Sequence, residues 1–253
     1  MHVFRSVGLA AAVGASALLL LVGAAGAKTI VKVGGVASPT IVAFTTTPHT
    51  LSVKLDFDFS TDVPDTDPAT VKQAEIFFPH GYRTNGALFP SCDPKRLRRL
   101  QGSPSACPRG SRLGSGTAVG TSPQFHGITE RLKVDVYNAR HGRGILLYLR
   151  GLRPVAIGGL VDASFVPIHT RRWGYKLTAK VPAGLQKLGS GIYASLLHMT
   201  TKVGASIRVH GVRHGFIEAL ACPPGALVPL HSVWSFVGGG SADGDGYISC
   251  GPR

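Results

Sequence analysis

The sequence predicts an all-β protein built as an antiparallel β-sandwich, Ig-like or jelly-roll-like, with one short helix in a disulfide-stapled loop. Three observations predict it: apolar and polar residues alternate, short strand-like segments recur between turns, and four cysteines interrupt the pattern. Hydrophobic residues make up 44% of the chain and charged residues 16%, so the chain is too apolar for disorder and can bury a core.

The clearest strand runs from Leu51 to Ser60. Its apolar residues share one face of a strand, whereas on a helix they would scatter around the axis. They are Leu51, Val53, Leu55, Phe57 and Phe59. Further strands are predicted over 71–78, 113–119, 128–137, 154–166, 175–181, 191–203, 206–212, 216–221 and 232–237. The run 145–149 is apolar on both faces, as in a central strand that is covered on two sides.

Two less regular segments complete the fold prediction. Residues 29–44 are β-branched but interrupted by glycine and proline, which predicts short strands. Asp93 is a suitable N-cap before Pro94, so a helix of one or two turns is expected through Leu100. A second helical turn is predicted over 183–187.

The N-terminus has the pattern of a secretory signal peptide. Arg5 supplies a positive charge, an uncharged run follows, and Ala25-Gly26-Ala27 matches the small-residue cleavage pattern. We expect residues 1–27 to be a signal peptide and residues 28–253 to form a single secreted domain, extracellular or associated with the cell envelope. The alternative is an uncleaved anchor, because the uncharged run is long enough to cross a bilayer; only then is a membrane expected as a partner.

The four cysteines indicate disulfides, since an exported chain with an even cysteine count usually pairs them. Three connectivities are open for four cysteines. Local pairing closes two short loops, each stabilising the fold by about 3 to 3.5 kcal/mol. It would join Cys92 to Cys107 and Cys222 to Cys250. The spacing matches no zinc site, and neither a metal nor another cofactor is expected.

The chain carries a net charge of +14, or +13 without Arg5. Such a charge favours polyanions, so the expected partner is an anionic polysaccharide or another envelope polymer, and nucleic acid is not expected. A GC-rich genome would also produce part of this arginine bias. The oligomeric state is left open by the sequence.

One predicted loop combines cations with aromatic rings. Flat rings stack on sugars or bases, and guanidinium groups bind carboxylate or phosphate in a forked geometry. The residues expected to bind are Arg171, Arg172, Trp173, Tyr175 and Lys176. In the alternative interpretation Trp173 plugs the end of the core while the arginines are solvated.

Asp62, Asp65 and Asp67 are a weak calcium candidate. Calcium binds several carboxylate oxygens from one loop, but no glycine or glutamate here completes a known loop pattern. The alternative is a solvated turn, in which aspartate and proline are common.

No nucleophile, metalloprotease or phosphate-loop motif occurs in the chain. The sequence therefore favours an exported, non-catalytic protein that binds an anionic envelope polymer or glycan. The alternative is a secreted hydrolase acting on a cell-surface polymer, with a triad assembled from distant residues.

The segments SCDP, ACPRGSRLGSGTA, ACPPG and DGDGYISC resemble a recurring pattern in uncharacterised secreted actinobacterial proteins and cover most of the mature chain. The resemblance implies export and a β-rich fold. It implies no activity and no functional residue.

Overall fold

The computed structural model of the protein describes residues 27–42, 46–122, 128–151 and 156–251. Apart from Ala27, the predicted signal peptide lies outside the described residues.

The described residues form seventeen strands and two short α-helices. The strands are β1 Thr29–Ser38, β2 His49–Thr61, β3 Val71–Pro79, β4 Tyr82–Thr84, β5 Arg112–Thr121, β6 Thr129–Asn138, β7 Gly144–Gly151, β8 Ile157–Pro167, β9 Trp173–Lys180, β10 Lys187–Gly189, β11 Ile192–Tyr193, β12 Ser195–Val203, β13 Ser206–Val209, β14 Val212–Gly215, β15 Ile217–Ala219, β16 Leu227–Phe236 and β17 Ser241–Cys250. The helices are α1 Pro94–Arg99 and α2 Ala183–Gln186.

Eleven of the described strands form one closed sheet, in the order β1-β17-β16-β3-β9-β8-β7-β6-β5-β12-β2. The ring closes because β2 also pairs with β1, in antiparallel register from Thr29 opposite Thr61 to Ser38 opposite Ser52. The β1–β17 pair is parallel. Strands β15 and β4 extend the sheet from the first residues of β2.

The all-β class is confirmed, but a barrel forms instead of the predicted sandwich. A sandwich and a barrel need the same alternation of inward and outward side chains. They differ in that the sheet of a barrel closes on itself, so that its two edge strands pair. Here β17 approaches β1 closely at a glycine. A Cβ atom at Gly246 would lie 1.9 Å from the carbonyl oxygen of Val33, so only glycine allows this approach.

Most predicted strands are confirmed, but the predicted strand 206–212 is a hairpin of β13 and β14, and two strands differ at the point where the barrel closes. The predicted face of β2 turns inward, with Leu51 and Phe57 almost fully buried. Residues 29–38 form one continuous strand instead of the expected short ones, because β1 pairs with β2 along its whole length. The Gly-rich strand β17 was not predicted.

Strand β7 is covered on both faces, as predicted. Ile145 and Leu147 point into the barrel, whereas Leu146 and Tyr148 pack outside it in a second apolar cluster. This outer cluster includes Leu97 of α1, which is fully buried. The basic helix therefore covers one side of the barrel with its apolar residue and leaves its cations in solvent.

Both local disulfides form, joining Cys92 to Cys107 and Cys222 to Cys250. The first closes the loop that contains α1, whose predicted N-cap Asp93 accepts hydrogen bonds from the following backbone N–H groups. Their sequence separations of 15 and 28 residues correspond to about 3 and 3.5 kcal/mol of stabilisation through loop closure.

Candidate ligand-binding site

The barrel encloses a cavity of about 250 Å³ whose wall is almost entirely apolar. A barrel of eleven strands is wider than the eight-stranded barrels whose interiors are just filled by side chains. Small inward residues leave this extra width empty. They include Ala74, Ala118 and Ala179, all buried. Protein interiors seldom contain voids much larger than a water molecule, so the cavity is a candidate ligand site.

Aromatic rings fill the part of the interior next to β1. The Trp234 ring lies edge-on to Phe57 and Phe59, with centroid distances of 5.4 Å and 4.7 Å. Its indole N–H donates to the hydroxyl of Ser232 at 2.9 Å, so the buried polar atom of the ring is satisfied. No described side chain of β1 lines the cavity, which lies against the other strands.

One end of the cavity is closed by side chains from β4 and the residue before β15. Phe216 is 1% exposed, and its ring centroid lies 5.7 Å from that of Phe89 and 6.3 Å from that of Phe165. Tyr82 lines the cavity here, and its buried hydroxyl has no hydrogen-bond partner within the described residues. Burial raises the pKa of Tyr82 to about 12, so the phenol keeps its proton at neutral pH. This end therefore holds one buried, protonated hydroxyl on a residue of the cavity wall.

An ion pair between the half-exposed Arg83 and the buried Glu218 holds β4, which carries Tyr82, against β15. Glu218 is 1% exposed and accepts hydrogen bonds from Arg83 Nε at 2.9 Å, Arg83 Nη2 at 2.6 Å and the Gly215 N–H at 3.0 Å. Burial raises the pKa of Glu218, but hydrogen bonds from Arg83, Asn85 and Gly215 outweigh burial and hold the pKa below its usual value. Glu218 is therefore ionised at neutral pH and balanced by Arg83.

Polar side chains gather at the opposite end of the cavity. All are buried, and they are Thr121, Ser122, Glu130 and Ser195. In the part of the chain that the structure describes, the Thr121 hydroxyl has no hydrogen-bond partner. Leu185 of α2 also lines this end and packs against β8, where a Cβ atom at Gly159 would lie 2.4 Å from the Leu185 Cγ. This end is thus partly covered by the segment that contains α2.

The structure separates the five residues predicted to bind a polyanion, which are Arg171, Arg172, Trp173, Tyr175 and Lys176. Tyr175 lines the cavity, so it lies apart from the other residues of the predicted binding surface. Lys176 is the next residue on β9 and points outward, where it pairs with Glu75 at 2.8 Å. Arg171 and Arg172 are exposed in the turn before β9. The alternative role of Trp173 as a core plug is also wrong, because its ring lies outside the barrel.

Trp173 belongs to a row of aromatic side chains on the outer face, which we call the outer aromatic strip. It consists of Phe77 on β3, Trp173 on β9, His231 on β16 and Tyr247 on β17. The planes of the Trp173 and His231 rings are 25° apart at a centroid distance of 6.1 Å, and Phe77 lies 6.2 Å and 5.3 Å from them. Sequence reasoning missed Phe77, His231 and Tyr247, because only the barrel topology brings these distant residues to Trp173.

A polar network on the outer face of β2 and β12 resembles a catalytic triad in composition only. His198 Nδ1 lies 2.6 Å from Asp58 Oδ1, and His198 Nε2 lies 2.9 Å from Thr200 Oγ1. The Thr200 hydroxyl donates its hydrogen to Asp56 at 2.6 Å and not to His198, which differs from a triad in which the histidine accepts that hydrogen. The described wall of the cavity contains no histidine. Neither site has the hydrogen-bonded serine and histidine that the predicted alternative, a hydrolase, would need.

The calcium candidate lies in the turn after β2. Asp62 accepts a hydrogen bond from the Lys28 N–H at 2.7 Å, and Asp65 has a positive φ of 57° within the turn. Across the described ranges, no group of three His, Cys, Asp or Glu side chains is arranged to hold a metal ion. The arrangement of Asp62, Asp65 and Asp67 therefore favours the alternative of a solvated turn.

Two further observations bear on the setting of the protein. Disulfides indicate a non-reducing environment. None of the helices within the described residues is long and apolar enough to span a membrane.

Comparison with protein-family models, with curated proteins and with solved structures gives no match to this chain. Function is therefore inferred from the chemistry of the sites.

Proposed function

We propose that the protein is an exported, non-catalytic binding protein whose barrel holds a small apolar ligand. The observation that carries this proposal is the apolar cavity of about 250 Å³, with a buried and unpartnered hydroxyl at its closed end among the described residues. An apolar cavity of about 150 Å³ holds benzene, so by the same ratio this cavity holds about ten non-hydrogen atoms.

The wall determines the chemical class of the ligand. The wall is apolar except near its ends, where Arg83 and Glu130 lie, and an ion held in the apolar middle would cost several kcal/mol, so we infer a neutral ligand. The protonated Tyr82 hydroxyl is a donor, and a buried donor without an acceptor costs about 1 to 3 kcal/mol. The ligand that fits both conditions is a neutral, mostly hydrocarbon molecule with one oxygen that accepts a hydrogen bond.

A pair of fluorescent probes tests this proposal. Naphthalene and 2-naphthol share a ten-carbon ring system, and only 2-naphthol carries an oxygen. We expect both to bind at one saturable site, with 2-naphthol about fivefold tighter, because one net hydrogen bond contributes about 1 kcal/mol. Tyr82→Phe is expected to remove that fivefold preference and to leave naphthalene binding unchanged, as measured by fluorescence titration.

The control for Tyr82→Phe is Tyr193→Phe, since Tyr193 is exposed and does not line the cavity. It should keep the preference for 2-naphthol. If Thr121→Val, and not Tyr82→Phe, loses the preference for 2-naphthol over naphthalene, the oxygen of 2-naphthol lies at the end of the cavity opposite Tyr82. A wild-type protein that binds neither probe saturably would contradict the proposed function.

Export is the second part of the proposal, with cleavage before Lys28. The Lys28 N–H lies 2.7 Å from Asp62 Oδ1. Cleavage would turn this N–H into an α-ammonium group beside a carboxylate, and such charge-assisted hydrogen bonds are stronger than neutral ones. We expect intact-mass spectrometry of the exported protein to give the mass of residues 28–253. A mass that begins at Met1 would contradict cleavage.

A further inference from the structure

The outer aromatic strip crosses four neighbouring strands, from β17 through β16 and β3 to β9. Cross-strand register places His231 opposite Phe77 and Phe77 opposite Lys176. On the other side, Asp245 lies opposite His231, and Tyr247 is the next outward residue of β17. Neighbouring strands are about 4.8 Å apart, so the strip is about 14 Å wide. Phe77, Trp173 and His231 contact one another through their rings, and Tyr247 lies on the next strand, opposite Pro229.

We propose that the outer aromatic strip binds an acidic polysaccharide. Its rings are half-buried or, at Tyr247, 52% exposed, so they are accessible from solvent. The faces of aromatic rings carry partial negative charge, which attracts the C–H hydrogens on the apolar face of a sugar ring. The Trp173 and His231 rings stack on each other with planes 25° apart, so they present their edges to solvent beside the exposed ring of Tyr247.

Polar groups flank the rings in donor and acceptor pairs. Lys176 Nζ lies 2.8 Å from Glu75 Oε1, and His231 Nδ1 lies 2.9 Å from Asp245 Oδ1. These contacts hold the side chains in place and leave further oxygen lone pairs and N–H groups for ligand hydroxyls. A sugar carries apolar faces and hydroxyl edges together, which matches this alternation of rings and polar pairs.

The acidic character of the ligand follows from the Trp173 end of the strip. The Arg172 guanidinium lies over the Trp173 ring, 4.7 Å from its centroid, and Arg171 is exposed beside it. In the described part of the chain, neither arginine has an ion pair, so both are available to a carboxylate. Glu75 and Asp245 are themselves paired with Lys176 and His231, so the two arginines at the Trp173 end are the part of the strip that favours an acidic ligand.

Binding of polygalacturonate by the full exported chain tests the proposal, with neutral dextran as the comparison polymer. We expect polygalacturonate to bind and dextran to bind at least tenfold more weakly. Tyr247→Ala and Trp173→Ala are each expected to weaken polygalacturonate binding at least fivefold, because they remove stacking surfaces. Arg172→Gln is expected to reduce the preference for polygalacturonate over dextran. Isothermal titration calorimetry measures all of these affinities.

Three controls decide whether the strip is responsible. Arg208→Gln removes an exposed arginine from β13, outside the strip, and should leave binding within twofold of wild type. Equal losses in Arg208→Gln and Arg172→Gln, or equally tight binding of DNA or phosphatidylglycerol vesicles, would show non-specific charge attraction and overturn the proposal. Unchanged binding in both Tyr247→Ala and Trp173→Ala would also overturn it. Because no residue of the strip lines the cavity, 2-naphthol binding should be retained in every strip variant.

Discussion

Ala118→Phe is expected to abolish binding of naphthalene and 2-naphthol while the barrel stays folded. Ala118 is fully buried on β5 and lines the cavity between Leu132 and Met199 of the adjacent strands. The added phenyl ring occupies about six of the ten non-hydrogen-atom positions that the cavity holds, by the same volume ratio as above. We expect affinity for both probes to fall more than tenfold in a fluorescence titration.

The matched control for Ala118→Phe is Thr117→Phe, which places the same ring on the opposite, exposed face of β5. It should leave probe binding unchanged. Both variants should unfold in urea within about 1.5 kcal/mol of wild type, because the ring at Ala118 enters existing space. Ala179→Phe fills the cavity from β9 and provides a second test if Ala118→Phe is overpacked. If a folded Ala118→Phe protein binds the two probes with wild-type affinity, the probes do not bind in the cavity.

Arg83→Met is expected to destabilise the protein by about 1 to 3 kcal/mol at pH 7, because it removes the half-exposed guanidinium that donates two hydrogen bonds to the buried carboxylate of Glu218 and leaves only the Gly215 N–H and His214 beside it. The loss should be visible as a lower midpoint of urea unfolding. Arg213→Met is the control, since Arg213 is exposed on β14 and hydrogen-bonds only a serine hydroxyl among its described contacts. It should cost no more than about 0.5 kcal/mol.

At acidic pH, the free energies of unfolding of Arg83→Met and wild type should differ by less than at pH 7. In the wild-type protein the pKa of Glu218 is held below its usual value of 4.5, so the stability from its ionised form is present above that pH and is lost as pH falls through the lowered pKa. Without Arg83, the hydrogen bonds that lower the pKa of Glu218 are fewer and burial raises it as before, so the carboxylate is protonated at a higher pH than in the wild-type protein. Unfolding in urea at pH 7 and pH 4 measures the change. If the two proteins differ equally in free energy of unfolding at pH 7 and at pH 4, the charge of Glu218 is not the cause of the stability loss in Arg83→Met.

The strands could be predicted from the sequence because their signal is local. Alternation between Leu51 and Ser60 is sufficient to define β2 and its inward face. The closure of the sheet could not be predicted in this way, since it depends on contacts between residues that are distant in sequence, such as Val33 and Gly246. The glycines that allow this contact also make β17 look like a turn.

The sites were only partly predictable for a related reason. Trp173 and its neighbouring cations formed a recognisable local pattern, although alternation along β9 turns Tyr175 inward. The cavity had no sequence signal, because Ala118 and Ala179 are ordinary residues for a filled core and only the strand number shows that they leave space. Tyr82 likewise becomes notable only once its hydroxyl is seen to be buried.

The parallel contact between β1 and β17 joins the first and last of the described strands. While the chain is being synthesised, β1 can pair with β2, but its other edge waits for residues close to Cys250. The N–H and C=O groups of that edge are open to unwanted pairing throughout that interval. The ring can therefore be completed only after almost the whole described chain has been made, and β1 keeps an unprotected edge until then.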